Sequence, residues 1–321
     1  MLFQMLDIRR YGHTYATAPG EGQTVPGKRE LRRAQWTCGG RGRIGMLMTT
    51  VNGIRLSYHD HGNGSPVLLL TGTGAPSSVW DLHQVPALRA AGFRVITMDN
   101  RGIPPSDDGT DGFTIDDLVA DVAALIEHLG VAPCRVVGTS MGSYIAQELA
   151  LARPELLDAV VLMAACGRSS LVQQVLAEAE AELIERGTDL PQGYLAAVRA
   201  LHNLGPATLT DDDLTADWLD LLEASGTGGP GVRAQLLLSA LPDRIRAYRA
   251  IKVPCHVVSF EHDLVAPPAA GRELAAAIPG ATHRTIPGCG HFGYLENPEA
   301  VNREVIRLLH AESRAPLEET A

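Results

Sequence analysis

Short apolar runs alternate with helix-patterned stretches through most of this chain, and that alternation limits the folds open to it. "PVLLLT" (66–71), "FRVITMD" (93–99), "CRVVGT" (134–139), "DAVVLMAA" (158–165), "PCHVVSF" (254–260) and "THRTIP" (282–287) read as strands. "PVLLLT" is continuous enough for a central parallel strand. Helical spacing covers residues 78–91, 114–130, 141–152, 268–278 and 297–312. In the second of these Thr114 is placed as N-cap and Gly130 as stop. Its apolar face is Ile115, Leu118, Val119, Val122, Leu125 and Ile126. "IRLSYHDHG" (54–62) alternates like a half-buried strand and follows the hairpin signal Asn52-Gly53. The pattern predicts an α/β fold, a mostly parallel central sheet with helices on both faces.

The alternation stops between Gly167 and Ala250. That stretch is Leu- and Ala-rich, helical in spacing and broken at "ASGTGGPG" (224–231). A helical insertion cannot bury itself in the sheet, so residues 168–250 are expected to form a cap or lid over one edge. Residues 46–167 and 251–321 then make the core. Residues 1–45 are rich in Gly, Arg and Thr without periodicity and are expected to be a poorly ordered extension. "MLMTTVNGIRLSYHDHG" (46–62) looks like a natural beginning.

The segment "CRVVGTSMGSYIAQELA" (134–150) sets Ser140 between Gly138 and Gly142 where a strand passes at once into a helix. This is the pattern of a nucleophile elbow, a sharp turn that lifts a serine hydroxyl above the strand ends. Its backbone leaves no room for side chains on the flanks, which is why glycines stand there. A serine hydroxyl is a weak nucleophile at neutral pH and needs a base that is itself held in orientation. Asp263 in "VVSFEHDLVAPP" (257–268) follows a strand, and His291 in "IPGCGHFGYLENPEAV" (286–301) lies in a Gly-flanked loop. Both fall at carboxyl ends of strands, where open parallel sheets gather their sites. Glu261 is a rival for the acid, and Asp263 also suits a plain helix cap.

With "GTSMG" (138–142), "DLVAP" (263–267) and "GCGHFGYLENP" (288–298) all present, the chain resembles the α/β-hydrolase superfamily over residues 48–312. The resemblance implies that Ser140 is a nucleophile, His291 its base and Asp263 the acid that orients His291. It also implies an oxyanion hole built from the backbone N–H groups of Thr73 and Met141. Four positions depart from the family pattern. Thr71 stands where most members have His, and Pro104 replaces the last Gly of the turn in "DNRGIPPSD" (99–107). Ser143 and Phe260 stand where glycine is common. Thr71 and Pro104 are expected to shape the pocket mouth.

The implied activity is cofactor-independent hydrolysis of an ester or thioester of a small organic molecule through an acyl-enzyme. One alternative puts the same three residues to elimination, cyclisation or acyl transfer in a biosynthetic pathway. Another keeps the pocket for ligand binding without turnover. Other classes fit poorly. A formal charge of −10 and no basic stripe argue against nucleic acid as partner. No apolar run approaches the length of a membrane span. "GTGAPS" (72–77) imitates a dinucleotide-binding loop, but Ser77 replaces its third glycine and Pro76 removes an N–H. His59 and His61 share a strand face, yet no third metal ligand is evident nearby, so no metal or cofactor is assigned. The five scattered cysteines (Cys38, Cys134, Cys166, Cys255, Cys289) and the absence of a secretory leader fit a reduced, cytoplasmic protein. Oligomeric state is not legible.

Overall fold

The computed structural model describes residues 45–108, 112–225 and 228–311. Most of the segment read as an N-terminal extension, with Cys38, lies outside the described residues. The strands are β1 (Leu47–Val51), β2 (Ile54–His61), β3 (Ser65–Leu70), β4 (Phe93–Met98), β5 (Cys134–Thr139), β6 (Leu157–Met163), β7 (Cys255–Phe260) and β8 (Thr282–Ile286). They form one sheet in the order β1-β2-β4-β3-β5-β6-β7-β8. From β4 to β8 every pair is parallel, while β1 and β2 are antiparallel additions at one edge. The β1–β2 hairpin turns through Asn52 (φ 46°) and Gly53 (φ 77°), two left-handed residues as the Asn-Gly pair predicts.

The helices are α1 (Gln84–Ala90), α2 (Ile115–His128), α3 (Met141–Ala152), α4 (Leu171–Glu185), α5 (Gln192–Asn203), α6 (Pro206–Leu209), α7 (Asp212–Ala224), α8 (Pro230–Ser239), α9 (Ile245–Tyr248), α10 (Pro268–Ala277), α11 (Gly293–Glu296) and α12 (Pro298–Ala311). The period of two in the central strands divides the core. Val136 of β5 and Leu162 of β6 pack with Leu118, Ile145 and Leu274 from α2, α3 and α10. Val137 and Met163, one residue on, pack on the opposite face with Leu88 of α1 and Leu308 of α12. Helices thus cover both faces of the sheet.

Local chemistry sets the helix limits. Thr114 caps α2 with its hydroxyl, and Asp117 returns a bond to the Thr114 N–H, a reciprocal box that fixes the start. Residues 78–91 are not one helix. A 3₁₀ turn, Ser77–Asp81, comes first and α1 begins only at Gln84. Pro86, which lacks an N–H, sits in the first turn of α1, where no ladder partner is needed, so the helix cannot run through from residue 78. Between β6 and β7 the described residues form helices α4 to α9 and no strand. No helix among the described residues is long and apolar enough to cross a membrane.

Candidate active site

Strand order places the site. β3 has β4 on one side and β5 on the other, so the connections that leave β3 and β5 diverge and open a crevice at the carboxyl rim. The loop after β3 (Gly72–Gly74), the turn after β5 (Ser140), the loop after β7 (Asp263) and the loop after β8 (His291) all lie on this rim.

Ser140 joins β5 to α3 in a strained conformation, φ 54° and ψ −119°. The turn is braced from several sides. The Ser140 N–H donates to the Met163 carbonyl at 3.0 Å, and the Ser140 carbonyl accepts from Ser143 and Tyr144 at 2.9 and 3.1 Å. The Ser143 hydroxyl lies 2.8 Å from the Gly138 carbonyl and 2.7 Å from that of Met163, so this departure from the family pattern adds a brace. A Cβ at Gly138 would collide with the Gly142 carbonyl, and one at Gly142 with the Leu70 carbonyl. Both flanks are therefore closed to any side chain. Ser140 itself stays partly exposed amid buried neighbours.

Asp263 is 2% exposed. Its Oδ1 accepts from the N–H groups of Val265 and Ala266 at 2.8 and 2.7 Å, and its Oδ2 lies 2.8 Å from His291 Nδ1. A carboxylate only accepts, so Nδ1 carries a proton and the lone pair of the neutral ring is left on Nε2. Glu261, the rival acid, points elsewhere. It accepts from the Gly288 N–H at 2.9 Å and is half exposed. Among the described residues no hydrogen bond joins the Ser140 hydroxyl to the His291 ring.

Glu296, five residues after His291, holds the histidine loop. One carboxylate oxygen accepts from the Gly290 N–H at 2.7 Å, and the other accepts from the Gly205 N–H at 2.8 Å and the Thr208 hydroxyl at 2.6 Å. Burial raises its pKa, against the pull of these hydrogen bonds. The Phe292 N–H donates to the Asn203 carbonyl at 3.0 Å, and the Phe292 ring stacks on Trp218 of α7 with centroids 6.0 Å apart. Phe260 fills the space against Gly293, where a Cβ would meet its ring. Two nearby thiols do not compete as nucleophiles. Burial pushes Cys289 up to about 12 and Cys166 up to about 11, so both stay protonated at neutral pH.

On the loop after β3, a Cβ at Gly72 would lie 3.2 Å from Ser140 Cβ, so this loop runs directly beside the serine. Neither the Thr73 nor the Met141 N–H donates in any hydrogen bond of the described residues. Thr71 is not at a pocket mouth. It is fully buried, with its hydroxyl donating to the Ala75 carbonyl at 3.0 Å and accepting from Asn100 Nδ2 at 3.2 Å. It braces the loop from within, because its side chain points into the packed base of the crevice. Pro104 is exposed on its turn. His59 and His61 stack with parallel rings, centroids 5.8 Å apart. Among the described residues no group of three or more His, Cys, Asp or Glu side chains is placed to hold a metal.

A profile described as the alpha/beta hydrolase family matches residues 67–304, well over half of the chain. The chain belongs to the alpha/beta hydrolase family. This hydrolase is 46% identical over 255 residues to a Mycobacterium tuberculosis protein named "Putative non-heme bromoperoxidase BpoC", covering 79% of this chain and 97% of that one. The crystal structure of the same protein superposes with a TM-score of 0.78 over 81% of this chain and 97% of that one. An enol-lactonase from Burkholderia xenovorans LB400 superposes with a TM-score of 0.71 at 28% identity, over 82% of this chain and all of that one (100%). A thermophilic esterase from Thermogutta terrifontis, with malate bound, gives 0.72 at 26% identity, over 84% and 100%.

Proposed function

We propose that this hydrolase is a cofactor-independent serine enzyme that cleaves an ester or thioester of a small organic molecule through an acyl-enzyme. The observation that carries the proposal is the 2.8 Å bond from Asp263 to His291 Nδ1, on the rim that also presents Ser140 at a strained turn. The bond leaves Nε2 unprotonated, the form needed to take a proton from a hydroxyl. Ser140 attacks the carbonyl carbon while His291 removes its proton. His291 then gives that proton to the leaving alcohol or thiol, and Asp263 stabilises the imidazolium between the two steps. The Thr73 and Met141 N–H groups receive the oxyanion, each contributing about 2.7–4 kcal/mol to lowering the barrier. Water activated by the same imidazole releases the acid and restores Ser140. Hydrogen bonds between such a serine and histidine are often long before substrate binds and tighten in the complex, so the lack of that bond among the described residues is compatible with these roles.

Residues 168–250 serve as the cap in this proposal. Support comes from their contacts with the histidine loop: the Gly205 and Thr208 bonds to Glu296, the Phe292–Asn203 backbone bond and the Trp218–Phe292 stack. Free, buried Cys134, Cys255 and Cys289 fit a reducing cytoplasm. A fluorophosphonate probe tests the nucleophile. Wild type should be labelled and Ser140→Ala should not; no labelling of wild type, or equal labelling of both, rejects the proposal.

The similarity to a protein named as a bromoperoxidase favours a second reading, in which hydrogen peroxide replaces water in the deacylation step. Peroxide attack on the acyl-serine gives a peracid and free Ser140. The peracid then oxidises bromide, taking up a proton, to hypobromous acid and the parent carboxylic acid. Bromination of a phenol by wild type but not by Ser140→Ala, dependent on carboxylic acid, peroxide and bromide together, distinguishes it.

A further inference from the structure

Gln235 lies on α8, in the segment between β6 and β7, and is fully buried (0% exposed). Its amide spans two loops of the sheet. Oε1 accepts from the Gly74 N–H at 2.8 Å, and Nε2 donates to the Arg101 carbonyl at 2.7 Å. A carboxamide accepts at its oxygen and donates at its nitrogen, and the two partners fix which way round it sits. One turn later the Ser239 hydroxyl donates to the Gln235 carbonyl at 3.0 Å and lies 2.6 Å from Thr73 Oγ1, which is left to supply the proton of that bond. The Ser239 carbonyl is held in turn by the Ser169 hydroxyl at 3.0 Å. The start of α8 is pressed against the 99–107 turn, where a Cβ on Gly102 would come within 2.9 Å of Gly231 Cα.

These bonds grip both sides of one peptide. Gln235 holds the Gly74 N–H, which fixes the peptide plane that follows Thr73, and Ser239 holds the Thr73 side chain. Thr71 and the Ala75–Gly72 turn bond brace the base of this loop, and at its tip, where Gly74 takes φ 71°, the bonds from Gln235 and Ser239 add the hold on Thr73 and Gly74. We infer that Gln235, assisted by Ser239, is a positioning residue that aims the Thr73 N–H at the oxygen of the reacting carbonyl. The inference rests on the proposal that Ser140 is the nucleophile and Thr73 an oxyanion donor. A donor lowers the barrier in proportion to how well it is pre-aimed, and here the aim is set by a helix outside the sheet.

The test uses the full chain with p-nitrophenyl butyrate as ester, a fluorophosphonate to count active sites, and a trifluoromethyl ketone, which forms an oxyanion adduct with a serine. In Gln235→Leu, kcat per titrated site should fall about 10–100-fold, short of complete loss of a donor. KM and the inhibition constant of butyrate should stay within about threefold, since ground-state binding is untouched. The ketone should weaken by the same factor as kcat. Gln235→Glu keeps an acceptor for Gly74 but sets a carboxylate against the Arg101 carbonyl, and should fall between wild type and Gln235→Leu. If Gln235→Leu does not fold, Ser239→Ala carries the test, with a loss of about 3–10-fold expected from freeing one side of the loop. A purely structural role lowers the count of titratable sites and the melting temperature while kcat per site stays at the wild-type value, and that result overturns the inference. So does a rise in KM alone. Wild type that neither turns over nor labels removes the serine-hydrolase proposal and this inference together; an active wild type with unaffected variants removes only the inference.

Discussion

Asp263 meets His291 with Oδ2 while its other oxygen, Oδ1, is taken by two backbone amides at 2.8 and 2.7 Å. That division predicts how Asp263→Asn fails. The asparagine carbonyl belongs where two N–H donors converge, so its NH₂ is forced toward His291 Nδ1. The ring must then accept at Nδ1 and carry its proton on Nε2, where it cannot act as base. Turnover of p-nitrophenyl butyrate should fall about 10⁴-fold with little change in melting temperature. Retention of more than a tenth of wild-type kcat contradicts the orientation argued here.

Glycines should differ sharply in tolerance. Gly142→Ala drives a methyl into the Leu70 carbonyl, backbone that has no space to yield, and should cost about 3 kcal/mol or more. Gly187, just past α4 at φ 58°, meets nothing within 4 Å. Its change to Ala should cost only about 1–2 kcal/mol, the left-handed penalty alone. Urea denaturation of the two variants checks the contrast.

Arg101 and Asp121 form a two-pronged pair at 2.8 and 2.7 Å, with the Asp121 side chain 1% exposed. Asn52 adds a third donor at 2.8 Å. Asp121→Ala leaves a guanidinium without its counter-charge and should lose about 3–5 kcal/mol, whereas Arg101→Met with Asp121→Leu should recover most of the loss. A double variant no better than Asp121→Ala would show that the pair's hydrogen bonds, not the stranded charge, dominate.

Buried thiols predict an alkaline limit. Burial pushes Cys134, Cys255 and Cys289 each up to about 12 from a starting value of 9.0. The folded pKa is raised, so this stability is fully present below pH 9 and is lost as pH climbs toward 12, where the unfolded chain ionises first. Each thiol contributes at most about 1.4 kcal/mol per pH unit across that window. The urea midpoint should drop between pH 8 and 10.5, less steeply in Cys255→Val. Equal slopes would exclude the thiol as a cause.

What could be foreseen from residues alone followed from how local each cause is. Thr114 caps α2 through contacts three residues away, and Asn52-Gly53 turns its hairpin with its own backbone angles. The alternation of Val136 and Val137 between opposite faces is a period visible in the string. Asp263 and His291 stand out because loops after parallel strands share one rim, but what distinguishes Asp263 from Glu261 is a contact with a loop 28 residues on, which no local pattern encodes. Thr71 was misplaced because its role depends on Asn100, which lies 29 residues away. Gln235 passed unnoticed because "RAQLLLS" reads as ordinary helix, while its partners Gly74 and Arg101 lie 161 and 134 residues distant. What marks it is an amide that is fully buried with a loop in reach on either side.

The sheet order also has a temporal side. Ser140 follows β5 near the middle of the sheet, whereas Asp263 and His291 follow the last two strands made. A growing polypeptide therefore carries the serine turn well before it carries His291. On the proposed roles, the set of Ser140, Asp263 and His291 is complete only once the loop after β8 has been made, so the serine turn is the oldest part of that site and the histidine loop its last addition.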